Sequence, residues 1–304
     1  IALYEAFRHE KSSPLPEPII QFGEYACWER RLLKDGLLGD QLAYWKNQLA
    51  DLLTESGYQV SRDNNTEPSF QFNRHSIDIN EKLLAELRVF AKKENSTLFM
   101  VLLTALIATL YVSTGRQEIR VGTLVANRRR RESEMTIGHF VNTVILSGHV
   151  SPELELKQLL GQIRDVTLRA QRYQEFPMEE LMRELEFKEG CDRASLFSVL
   201  INYQKHDFKP VHVSGLTFAS WNVPYTNSEA EPLPTAFDLI FNLKETSTML
   251  TGTVNVRDDN SIGGNTMVLV ERLNRVLETL ISDPKRLVLS VVRDFVETRN
   301  FAGT

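Results

Sequence analysis

Apolar positions along this chain change their spacing several times, and each change marks an element. Across residues 81–93, Leu83, Leu84, Leu87, Phe90 and Ala91 share one face of a helical period, which predicts an amphipathic helix with Asn80 as its N-cap. Residues 97–112 are apolar almost without interruption. The helix predicted there has no polar face and belongs in a core, and Gly115 suits its end because glycine tolerates positive φ. Strands are predicted at 72–79, 119–126 and 140–147. Helices follow at 153–174 and 177–187, the second with Pro177 in a first turn that has no bond to lose. Beyond them the period falls to two: residues 195–204, 216–221, 237–244 and 249–256 are strand-like and rich in β-branched and aromatic side chains. A last helix is predicted at 265–281, with Val268, Leu269, Leu273, Val276, Leu277 and Leu280 as its stripe and Asp283-Pro284 as its stop.

Residues 1–50 are helical in pattern at both ends, joined by a proline-rich stretch at 12–18 that has too few N–H donors for a helix. Residues 54–70 are rich in Ser, Asn, Asp, Thr and Gly, a turn-forming composition, and a boundary is placed there, dividing the chain into 1–60 and 61–304. Helices and strands alternating in this way predict an α/β sandwich, a mixed sheet covered by helices. No internal repeat is visible.

One strand carries an unusual residue. In Thr136-Ile137-Gly138-His139-Phe140-Val141-Asn142-Thr143 a glycine turn feeds an alternating segment. Parity sets Phe140, Asn142 and Val144 on one side and Val141, Thr143 and Ile145 on the other. An asparagine in an apolar strand needs hydrogen-bond partners, and either neighbouring backbone or a ligand can supply them.

At 304 residues and 42% hydrophobic content the chain can bury a sizeable core, as one large domain or two. A net charge of -5 and a pI near 5.8 argue against nucleic acid as a partner. The run Arg128-Arg129-Arg130-Arg131 stands apart. It fits a solvated loop, a phosphate-binding patch or a surface for an acidic partner. The two cysteines, Cys27 and Cys191, are far apart and make no disulfide framework, so a reducing, cytoplasmic setting is expected. No signal-peptide pattern opens the chain, and the longest apolar run, 98–112, is shorter than the roughly 18 to 20 residues a membrane span needs, so no membrane partner is expected. There is no P-loop and no C-x-x-C pair. The stretch beginning Asp258-Asp259-Asn260 mimics a calcium loop, but Leu269 falls where the bidentate glutamate is needed, so no metal is expected.

Six segments, in order, resemble the condensation domains of nonribosomal peptide synthetases. They are Phe22-Gly23-Glu24-Tyr25-Ala26-Cys27-Trp28 with the Tyr44-Trp45 helix after it; Val125-Ala126-Asn127-Arg128; the Gly138 to Thr143 strand; Gln174-Glu175-Phe176-Pro177-Met178-Glu179; Asp192-Arg193-Ala194-Ser195; and Phe237-Asp238-Leu239. The family's His-His-x-x-x-Asp-Gly motif is not in the chain: His9, His75, His139, His149, His206 and His212 include no adjacent pair. In the family that motif shortly precedes a helix ending Leu-Tyr-x-Ala, which Leu3-Tyr4-Glu5-Ala6 resembles, so the chain is expected to start just after it.

The resemblance implies a two-layer sandwich like chloramphenicol acetyltransferase, with one complete lobe (61–304) and the helical tail of another (1–60). It implies amide formation between a carrier-bound donor thioester and an acceptor amine in a tunnel between lobes, incomplete without the upstream histidine motif. Expected partners are peptidyl or acyl carrier proteins, the N-terminal condensation lobe and adjacent synthetase domains. No cofactor is expected to bind directly, and phosphopantetheine arms carry the substrates. Asn142, Thr143, Ser195, Asn202 and Gln204 are expected along the substrate tunnel, and Arg128 in an ion pair across the lobe junction with the motif's aspartate. No catalytic residue is expected within the chain. Ser195 lacks a G-x-S-x-G turn and is not a hydrolase nucleophile, His139 reads as a turn histidine, and Trp28 and Trp45 read as packing residues. The alternatives are a non-catalytic docking module for carrier proteins or synthetase domains, and an epimerising or ester-forming relative, although Phe140-Val141-Asn142-Thr143 favours condensation.

Overall fold

The computed structural model of the chain describes residues 1–50, 72–185, 196–205, 210–213, 215–219, 237–257 and 266–291. Three helices come first, α1 (Ala2–Arg8), α2 (Phe22–Lys34) and α3 (Gly39–Gln48). They are followed by β1 (Phe72–Ile79), α4 (Glu81–Lys93), α5 (Leu98–Thr114), β2 (Glu118–Val125), β3 (Asn142–His149), α6 (Leu156–Arg172) and α7 (Met178–Glu184). The last third holds β4 (Val199–Lys205), β5 (Val211–Val213), β6 (Leu216–Phe218), β7 (Leu239–Glu245), β8 (Leu250–Arg257) and α8 (Thr266–Ser282). The boundary at 54–70 and the calcium-like stretch at 258–260 lie outside the described residues.

Six strands form one mixed sheet in the order β1-β8-β7-β4-β2-β3. The β2–β4 and β4–β7 pairs are parallel and the others antiparallel. Helices α4, α5, α6 and α8 form the second layer, α8 lying against β1 and β8 and α6 against β3. Alternation along the strands decides which side chains meet these helices. On β4 and β7 they are Val199, Ile201, Leu239, Phe241 and Leu243, all nearly inaccessible to solvent. Helix α5 is buried on every side from Leu98 to Tyr111, as its lack of a polar face requires. Thr97 caps its start, and Gly115 takes the left-handed conformation at φ 69 that closes its end. No single helix among the described residues is long and apolar enough to cross a membrane.

The observed elements depart from the sequence pattern at three places. Pro177 is the residue before α7 and not within its first turn, because its backbone is extended at ψ 132. The strand expected from 140 begins at Asn142, since Phe140 turns inward to pack on Phe22 and Tyr25. Residues 216–218 pair with 211–213 as a separate hairpin and do not join the main sheet.

Helix α3 is not a detached tail. Trp45 and Leu49 are each 2% exposed and belong to the same core as the helical layer. Trp45 also donates its indole N–H to the Tyr173 carbonyl at 2.9 Å.

Candidate functional site

The segment between α6 and α7 is held by two side-chain amides. From α3, the Gln41 carbonyl oxygen accepts the backbone N–H groups of Glu175 and Phe176, both at 3.1 Å, while its NH2 donates to the Glu175 carboxylate at 3.2 Å. From the first residue of β3, Asn142 donates its NH2 to the carbonyls of Gln174 and Phe176, both at 2.8 Å. Its own carbonyl oxygen accepts from the backbone of Thr143 at 2.9 Å and Met178 at 3.0 Å. Both of its donors and both of its acceptor positions are occupied.

Asn142, expected along the substrate tunnel, has its amide taken up by backbone in this structure. Parity places it on the helix side of the sheet with Val144 and Leu146, and its amide has no donor left for a substrate. It is a positioning residue that fixes the Gln174 to Met178 backbone to the edge strand.

The loop leading into β3 is anchored as firmly. Asn127 is buried with φ 51, and the Arg128 guanidinium donates to the carbonyls of Ser133 and Thr136, the latter at 2.8 Å, while lying 4.1 Å above the Phe140 ring. Arg128 is therefore bound within its own loop, with its Nη2 making a longer contact of 3.5 Å to the Gly138 carbonyl. Arg129 reaches the Arg172 carbonyl at 3.2 Å, and Arg130 lies 3.9 Å over the Trp28 ring. The arginine run thus ties its loop to α2 and to the end of α6. Gly138 is needed here for close approach, because a Cβ would come within 2.2 Å of the Phe22 ring.

Buried around this junction are groups with displaced titration. Burial, reinforced by the neighbouring Glu29 carboxylate, pushes the Tyr25 hydroxyl well above the ordinary tyrosine range. Burial also raises Glu29, against the opposing effect of the hydrogen bond from Tyr25. On the helix side of the sheet, Glu245 is 3% exposed between Arg88, at 2.6 Å, and the Tyr203 hydroxyl, which burial and Glu245 hold in its neutral form.

The remaining candidates lie on the other face of the sheet. Asn202 is half-buried, and its NH2 meets the Asn242 carbonyl oxygen at 3.3 Å. Gln204 is exposed two residues further on. Thr143, opposite Leu124 on β2, shares this face. Asn142 thus lies across the sheet from Thr143, Asn202 and Gln204, Arg128 lies in the loop before β3, and Ser195 lies outside the described residues. His139 is exposed, and Trp28 and Trp45 are packing residues of α2 and α3.

Two participants were not among the residues expected from the sequence. Gln41 lies three residues ahead of Tyr44, in a helix whose aromatic pair dominates the pattern. Asn242 is an asparagine within an apolar strand, the same signal that marks Asn142.

A mixed sheet with helices on one side defines the class: the chain has the chloramphenicol acetyltransferase-like α/β sandwich. It superposes on the crystal structure of the X-domain from teicoplanin biosynthesis with a TM-score of 0.76 at 20% identity, over 94% of this chain and 65% of that one. The chain belongs to the condensation-domain family of nonribosomal peptide synthetases, whose family description, Condensation domain, matches residues 1–293. Among curated relatives, a linear gramicidin synthase polypeptide from Brevibacillus parabrevis is 28% identical over 287 residues, and a second polypeptide of the same synthase is 33% identical over 222 residues. Malpibaldin synthetase from Mortierella alpina is 29% identical over 285 residues. These matches take in 94%, 73% and 93% of this chain but only 6%, 4% and 5% of the relatives.

Proposed function

We propose that the chain is the acceptor-side part of a condensation domain that forms an amide between two carrier-bound substrates. The observation that carries this reading is the family match running through residues 1–293. In the reaction the acceptor's amine nitrogen attacks the donor's thioester carbonyl, a C–N bond forms, the C–S bond breaks, and the thiolate departs as the amine gives up its proton. Such chemistry depends on holding two arms in reach of each other and on control of that proton. The histidine for the second task belongs to a preceding lobe, and residues 1–60 are the tail of that lobe, a reading supported by Trp45 of α3 packing into the core. Phosphopantetheine arms deliver the substrates, and carrier proteins and neighbouring synthetase domains are the partners, in the cytoplasm.

Within this reading Thr143, Asn202 and Gln204 face the substrate arms, with Ser195 assigned to the same tunnel. Arg128 turns its one weakly held nitrogen toward the histidine motif's aspartate. Asn142 keeps the Gln174 to Met178 segment in place behind them. The test is to join the chain to a preceding lobe bearing the histidine motif and to assay amide formation between two loaded carrier proteins by mass spectrometry. Product that disappears when the motif's second histidine is replaced by alanine is the expected result. A correctly assembled complex that makes no product overturns the reading in favour of a docking module.

A further inference from the structure

Helix α3 and strand β3 are far apart in sequence, yet both grip residues 174–178. Along this segment two side-chain amides share out the backbone groups. The N–H groups of Glu175 and Phe176 go to the Gln41 oxygen, the carbonyls of Gln174 and Phe176 accept from the Asn142 NH2, and the Met178 N–H goes to the Asn142 oxygen. Pro177 has no N–H, so every N–H from 175 to 178 is held by one of these two amides.

The link between the two amides is short and stiff. Proline fixes its own φ and restricts the residue before it, here Phe176, which is buried in the core. Such a link passes a displacement of one holder to the other instead of absorbing it. Gln41 is fastened at its own end as well. It stands one helical turn before Trp45 on the same face of α3, and Trp45 is buried and donates its indole N–H to the Tyr173 carbonyl, just ahead of the segment. At the far end, the Asn142 oxygen also accepts the backbone N–H of Thr143 at 2.9 Å. That N–H therefore reports how the Asn142 amide is turned.

Satisfying the backbone does not by itself call for this arrangement. Residues 174, 175, 177 and 178 are half-buried, where water can serve backbone groups. What two amides from separate elements add is a fixed relation between α3 and the start of β3. We propose that Gln41 is a positioning residue for amide formation: through residues 174–178 it sets how the Asn142 amide is turned, and with it where Thr143 stands at the start of β3. This role rests on the amide-forming reading above for its use, while the linkage itself rests on the hydrogen bonds.

The test follows backbone amide exchange at Glu175, Phe176, Thr143 and Met178 in the 304-residue chain. In the unsubstituted chain the four amides should open together, with one urea dependence. Gln41→Ala removes the acceptor of only the first two, yet exchange at Thr143 and Met178 should also quicken, by about fivefold to tenfold. Gln41→Glu combined with Glu175→Gln keeps an acceptor at position 41 and reverses the side-chain bond between the two residues. This double variant should restore all four amides. Lys46→Ala breaks the 3.0 Å ion pair from α3 to Glu184 without touching the segment, and should change none of them. Quickening confined to Glu175 and Phe176 overturns the linkage, and equal quickening in Lys46→Ala overturns the part given to Gln41. Separate openings of the two pairs in the unsubstituted chain also overturn the linkage, and that result needs no variant to fold.

In the chain joined to a preceding lobe that bears the histidine motif, Gln41→Ala should lower the kcat of amide formation about tenfold and leave KM for both loaded carrier proteins unchanged. The double variant should restore kcat. An undiminished kcat in a Gln41→Ala domain whose Thr143 amide exchanges faster overturns the positioning role. A joined domain that makes no product before any substitution rejects the amide-forming reading instead, and the exchange measurements still decide the linkage.

Discussion

Asparagines on the two faces of this sheet have opposite bonding states. On the helix side, Asn142 spends its whole amide on the backbone of residues 143, 174, 176 and 178. On the other side, Asn202 and Asn242 bond each other and keep half of their capacity. A side chain that is fully bonded within the protein shapes the fold, and one with spare donors and acceptors on a half-open surface is available to a ligand. Asn142 falls in the first group, and its bonds join β3 to the segment before α7.

The largest effect that tests this contrast is expected from Asn142→Asp. It replaces a donor by a carboxylate oxygen facing two carbonyls, and should cost about 3 kcal/mol or more in denaturant unfolding, with Asn142→Ala close behind. Asn202→Ala on the half-open face should cost less than about 1 kcal/mol. Equal losses at the two sites would end the distinction. Gln41→Ala comes next, at about 1 to 2 kcal/mol, because two backbone N–H groups lose their acceptor. Hydrogen exchange reads it directly: the Glu175 and Phe176 amides should lose protection while the β2–β3 ladder keeps its own. Unchanged protection at both amides would mean that Asn142 holds the segment without help from α3.

Much of this was legible in the chain. The helix over residues 81–93, its Asn80 cap, the buried apolar helix with Gly115 at its end and the last amphipathic helix all follow from local periodicity and capping, which the sheet does not override. Parity also placed Asn142 and Thr143 on opposite faces before any strand was paired. What periodicity could not supply was partnership. The donors and acceptors around Asn142 come chiefly from a segment 32 to 36 residues away, so nothing in its own strand distinguishes a structural amide from a substrate-binding one. The hold of Gln41 on the same segment is hidden for the same reason, since residues 41 and 175 lie 134 positions apart. Arg128 shows the limit of a motif taken alone: its guanidinium found the carbonyls of its own loop within ten residues.

The smallest expected effect concerns Glu29, at the junction that Asn142 and Gln41 fasten. Burial raises its pKa, so the folded protein holds the protonated carboxyl more tightly than the unfolded chain does. That contribution to stability is complete below the ordinary carboxylate range and is lost as pH rises through the raised value. In Glu29→Gln the group stays neutral at every pH, and its side-chain oxygen can still accept from the Tyr25 hydroxyl, as Glu29 does at 3.3 Å. The variant should match the parent at acid pH and exceed it near neutrality, by less than about 1 kcal/mol because solvent screens a half-buried charge. Thermal unfolding across that range provides the measurement. A variant less stable than the parent near pH 7 would show that the ionised carboxylate, and not the neutral acid, is what this junction favours.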